Sequence, residues 1–149
     1  MASPAELLGR LHPVLLHFPV ALLVLGAVIE TARGFRNSDF LGRAVVGLFG
    51  LGAIAALLAV GSGWLLAAHE RIRSDQHDIL ELHRWLAVAT AIWAVFAWLG
   101  ARAWRDATTP GKVWARRLVA ALTFVLIAAS GHFGALLVWG KDWFTFSSS

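Results

Sequence analysis

Four long apolar runs separated by short polar turns organise this 149-residue chain. They cover about 13–31, 41–68, 79–103 and 113–138. Each is close to or above the roughly 20 residues a helix needs to cross a bilayer core. A spanning strand needs about half that length, and lipid admits only helices or closed barrels. The pattern predicts an all-α, integral membrane, four-helix up-and-down bundle, with 1–149 forming a single domain.

Composition agrees with this reading. The chain is 58% hydrophobic and only 15% charged, against about 25% charged in soluble domains. It has no cysteine, which excludes disulfides, thiolate metal sites and covalent c-type haem attachment. The net charge is +4, but the bases sit in turns and form no recurring face, so nucleic acid is not an expected partner. The first connection carries Arg33, Arg36 and Arg43; the third carries Arg102, Arg105, Lys112, Arg116 and Arg117. By the positive-inside rule both lie in the cytoplasm, which puts both termini and the second connection outside. The first run lacks a clear A-x-A site and reads as an uncleaved span. Trp64, Trp85, Trp139 and Trp143 mark the outer span ends, and Trp104 and Trp114 the inner ones. Trp93 and Trp98 fall mid-span.

All six histidines belong to the outer half. At 1.5 Å per residue, His17 lies about 24 Å from Arg33, His132 about 23 Å from Arg117 and His83 about 28 Å from Arg102. Three helices thus bring one imidazole each to nearly one level. His12 lies one to two turns further out, and His69 and His77 beyond it. The second helix brings Gly61, Ser62 and Gly63 to this level; the fourth brings Ser130, Gly131, His132 and Gly134.

Small residues mark helix contacts in membranes. The stripe His83, Ala87, Thr90, Ala94, Ala97 and the stripe Gly52, Ala56, Ala59, Gly63 are expected to face inward. So is the stripe Ala121, Val125, Ala128, His132. His17 stands over a weaker stripe of Ala21 and Val24. His12 and His17 are five apart, which turns them about 140° from one another. Pro13 suits a first helical turn, and Pro19 should interrupt the helix near the Leu15 carbonyl. LAVGSGWLLA resembles LIAASGHFGA, and the interval from His17 to Ser62, 45 residues, is close to that from His83 to Ser130, 47 residues, which suggests two hairpins of like design.

The residues His12-Pro13, His17-Phe18-Pro19, Ser62-Gly63-Trp64, His83-Arg84-Trp85 and Gly131-His132-Phe133-Gly134 resemble a bacterial family of predicted four-helix membrane proteins, domain of unknown function 2231. The likeness spans nearly the whole chain. It implies the bacterial inner membrane. Relatives joined to cytochrome-like domains hint at electron transfer.

A membrane bundle with facing histidines suits non-covalent haem b, which two neutral imidazoles ligate. Any two of His17, His83 and His132 are candidates, and His17 with His83 is favoured as the diagonal pair. His12 is a further candidate. Gly63 and Gly131 would give clearance, and Arg84, Arg71 or Arg73 would meet propionates. Asp78 and Glu81 could accept an imidazole N–H. The alternative is a zinc or copper site on His17, His83 and His132. A third reading is a non-catalytic subunit that contacts lipid and other membrane redox or complex subunits. No central carboxylate suggests a pump, and no nucleophile suggests a hydrolase. An electron-transfer or binding subunit is therefore expected before a stand-alone enzyme.

Overall fold

In a computed structural model, residues 3–35, 38–71 and 73–140 are described; Arg36 and Trp143 lie outside them. Helix α1 spans Pro4–Arg10, α2 His12–Leu15 and α3 His17–Ala32. Helix α4 spans Asp39–His69, α5 His77–Ala103 and α6 Pro110–Trp139, with a 3-10 turn at Ser74–Gln76 before α5. Among the described residues there is no strand. Four helical stretches are long and apolar enough to cross a membrane: 4–32, 39–69, 74–103 and 110–139.

The helix ends follow from local chemistry. The Ser3 hydroxyl accepts from the Glu6 N–H at 3.2 Å, and Pro4 occupies the first turn of α1. The Ser38 hydroxyl accepts from the Leu41 N–H at 3.2 Å, with Asp39 in the first turn of α4. Both arrangements satisfy donors that a helix start leaves open. Gly140 ends α6 at φ +87°, a conformation that glycine adopts without penalty. The first span is interrupted at Leu11 and Leu16, as Pro13 and Pro19 require. The helical stretch starts nine residues before the apolar run, because α1 precedes it.

The spans close into a ring in the order α3, α4, α5, α6, with α1 and α2 laid on α4. α3 and α5 are therefore diagonal. At the centre sit Leu23, Val45, Phe49, Ala94, Ala97 and Ile127. Gly26 admits Phe49: a Cβ there would stand 2.7 Å from the ring. Gly9 admits α4 to α1 in the same way, 2.7 Å from the Leu66 nitrogen. Lipid is as apolar as leucine, so such close packing, not water exclusion, holds membrane helices together. Large apolar side chains such as Leu51, Ile54, Phe96, Leu99 and Phe124 point outward, where acyl chains would cover them.

Burial repeats at a constant offset of 71 residues. Leu23 and Ala94, Phe49 and Ala120, Gly52 and Thr123, and Ala56 and Ile127 are all buried pairs at this offset. The first hairpin thus maps onto the second by a half turn about the bundle. The likeness expected between LAVGSGWLLA and LIAASGHFGA holds in kind, but its register shifts by three residues.

Candidate functional site

The two half-buried histidines are His12 on α2 and His83 on α5. His12 Nδ1 lies 3.0 Å from the Ala59 carbonyl oxygen and 3.1 Å from the Ser62 hydroxyl. His83 Nδ1 lies 3.1 Å from the Ser130 carbonyl oxygen. A carbonyl only accepts, so each Nδ1 carries the proton and each Nε2 keeps a lone pair. Neither Nε2 has a hydrogen-bond partner among the described residues. Ser62 in turn donates to the Ala59 carbonyl at 3.0 Å.

The two arrangements are copies of each other. Each histidine meets a carbonyl 47 residues further along the chain. Each also lies on a glycine of the paired helix. A Cβ on Gly63 would stand 2.9 Å from His12 Cε1, and one on Gly134 would stand 3.1 Å from His83 Cε1. The rings belong to diagonal spans.

The other expected residues divide. Gly63 lies under His12, as its inward stripe requires, and the α5 stripe through His83 also faces inward. Gly61 and Gly131 border open space. Arg84 is half-buried; its guanidinium stacks 4.9 Å from the Trp64 ring centroid, and its Nε is buried without a hydrogen-bond partner. Trp64 meets Trp85 edge-on at 6.3 Å. Arg73 pairs with Asp75, and Arg71, Asp78 and Glu81 are exposed. His69 Nδ1 lies 2.8 Å from the Leu65 carbonyl oxygen and is exposed, as is His77.

Two expectations are corrected. His17 and His132 are exposed on the outside of the bundle, so neither faces His83. On α6 the inward stripe is Arg116, Ala120, Thr123 and Ile127, continued by Ser130 and Gly134. Ala121, Val125, Ala128 and His132 face away. Alanines occupy both faces of α6, so residue size alone does not select the face. On the first span the 140° separation lets only one of His12 and His17 turn inward, and α2 turns His12. Accordingly, no group of three His, Cys, Asp or Glu able to hold a metal forms among the described residues. His17 and His132, on the outside, do not join His83 in one cluster.

A family model described as "Predicted membrane protein (DUF2231)" matches residues 10–143. The chain belongs to the DUF2231 family. Curated proteins and solved structures give no match. The matched stretch of this DUF2231 protein includes both inward histidines, the first span from residue 10 and the other three spans whole.

Sequence reasoning missed a second polar cluster, at the opposite, arginine-rich end of the DUF2231 bundle. Glu30 is buried at the end of α3. Its carboxylate accepts from Arg33 at 2.8 Å and pairs with Arg116 Nε at 3.2 Å. Arg33 also donates to the Arg105 carbonyl at 2.8 Å. Arg116 donates to the Trp104 and Arg105 carbonyls at 3.0 and 2.7 Å. One carboxylate and two carbonyls thus tie α3 and α6 to the end of α5. The signal was present: Glu30 is the one acid inside the first apolar run, three residues before Arg33, a spacing at which helical neighbours pair. In the nearby turn Asp106 is held below the usual carboxylate range, chiefly by the hydrogen bond from Arg105.

Proposed function

We propose that this DUF2231 protein holds one haem b between His12 and His83 and serves as a small electron-transfer component of the bacterial inner membrane. The observation that carries the reading is the paired histidine–carbonyl geometry on diagonal spans. It supports two neutral rings with their Nε2 atoms left available, as bis-imidazole ligation needs. The favoured diagonal pair becomes His12 with His83, in place of His17 with His83.

The residues present fit the group. Gly63 and Gly134 let each ring lie directly against the facing helix, where a Cβ would stand 2.9 and 3.1 Å from it. The unpartnered Arg84 Nε supplies a donor for an anionic edge such as a propionate. Bound haem supplies one-electron exchange at its iron. The chain's own part is to orient and insulate. The Ala59 and Ser130 carbonyls hold each Nδ1–H, which fixes the tautomer, stops ring rotation and raises the basicity of Nε2. Trp64 holds the Arg84 guanidinium and meets Trp85 edge-on. With the arginine-rich turns in the cytoplasm, both termini and the site lie toward the extracytoplasmic side.

The test is an absorption spectrum of protein purified after expression with ample haem. A Soret band that sharpens on dithionite reduction, lost in both His12→Ala and His83→Ala, supports the reading. A colourless wild-type preparation overturns it.

A further inference from the structure

A groove of about 520 Å³ runs between α4 and α5 on the outside of the bundle. Gly47, Gly50, Ile54 and Leu57 line it on α4, and Trp98 and Arg102 on α5. From its α4 residues at 46 to 57 it is about 17 Å long. Its surface is apolar except at the arginine-rich end. There Arg102 is exposed and has no hydrogen bond or ion pair among the described residues. Neighbouring Arg105 is already engaged by Asp106. One turn deeper, Trp98 Nε1 sits beside Gly50, where a Cβ would be 2.9 Å away. This indole N–H also has no partner among the described residues.

The order along the groove is an open cation, then a lone N–H donor about 6 Å deeper, then an apolar trough. That order mirrors a phospholipid read from its head: phosphate, glycerol ester, acyl chain. We infer that the α4–α5 groove seats one anionic phospholipid, with its phosphate on Arg102, an ester carbonyl on Trp98 Nε1 and a chain along Gly50 to Leu57. Basic pockets between membrane helices bind anionic headgroups in this way.

The repeat argues that the groove is built and not incidental. At the offset of 71, Gly47 and Gly50 correspond to Leu118 and Ala121. Trp98 and Arg102 correspond to Ala27 and Thr31. The core burial pattern is duplicated, but the trough, the donor and the cation exist in one half alone.

Native mass spectrometry of the detergent-purified protein, mixed with phosphatidylglycerol or with phosphatidylcholine of identical chains, tests this. Wild type should retain phosphatidylglycerol over phosphatidylcholine by about five-fold, the size of one arginine–headgroup interaction. Arg102→Gln should bring the two lipids level. Gly47→Leu, whose Cβ meets nothing within 4 Å, obstructs the head end of the groove and should reduce adducts of both. Equal retention of the two lipids by wild type overturns the inference. So does a preference that survives Arg102→Gln, or a groove occupied by a second copy of the chain in a dimer.

Discussion

His83 Nδ1 lies 3.1 Å from the Ser130 carbonyl oxygen, and its Cε1 edge rests on Gly134. Seventy-one residues earlier, His12 stands in the same relation to Ala59 and Gly63. Two equivalent rings thus recur on diagonal spans.

If these rings ligate haem, His12→Ala and His83→Ala each abolish the Soret absorbance per mole of protein. His17→Ala and His132→Ala, which alter exposed rings, leave it near the wild-type value. Loss of pigment in His17→Ala with retention in His12→Ala would reverse the ligand assignment.

The glycines offer a graded test. Gly63→Ala sets a Cβ 2.9 Å from the His12 ring and Gly134→Ala sets one 3.1 Å from the His83 ring. Both rings are pinned by hydrogen bonds and must shift. Haem occupancy should fall in both variants, and further in Gly63→Ala. Titration of stripped protein with haemin gives the order; unchanged occupancy in both would show that ring placement is irrelevant to pigment.

Packing of the first helix is expected to be intolerant. Gly9→Ala meets the Leu66 backbone at 2.7 Å, and overpacking of this kind costs about 1–3 kcal/mol. Gly61→Ala meets nothing within 4 Å and should stabilise its helix by about 0.5–1 kcal/mol. Thermal unfolding in detergent, followed by circular dichroism, should move in opposite directions for the two.

The buried Glu30 cluster predicts a larger effect. Glu30→Gln leaves Arg33 and Arg116 without their shared carboxylate, and breaking a buried pair costs about 3–5 kcal/mol. Adding Arg116→Met to Glu30→Gln should recover part of the loss, because the two sites are coupled. The same unfolding measurement checks this, and strict additivity would argue that the pair does not act as a unit.

Asp106 gives a pH-dependent contrast. Its folded pKa is depressed, chiefly by the Arg105 hydrogen bond. It therefore adds stability above the unfolded carboxylate range and loses it as pH falls through the folded value. Asp106→Asn should lower the thermal midpoint slightly at neutral pH, and the difference should vanish in acid. The pair is solvent-exposed, so the effect is small.

The fold was legible because lipid imposes a length and a composition on each span. The α4 and α5 stripes were legible too, since small residues occupy one face of each at the contact level. The face of α6 was not, because alanines at 120 and 121 and at 128 and 129 offer two faces of equal size. His12 could be recognised only through its partners. It precedes Gly63 by the same interval that separates His83 from Gly134, and that equality has no meaning until the repeat's register is known. Taking His17 as the counterpart of His83 moved the register by more than a turn and turned the wrong ring inward.

The Glu30–Arg33–Arg116 seam makes the bundle mechanically lopsided. Charged and carbonyl groups cinch three of its spans at one mouth, and the far mouth has no comparable clasp among the described residues. A planar guest arriving after the helices have assembled would have to pry them apart at the looser rim. The seam would then act as the fulcrum that brings them back together.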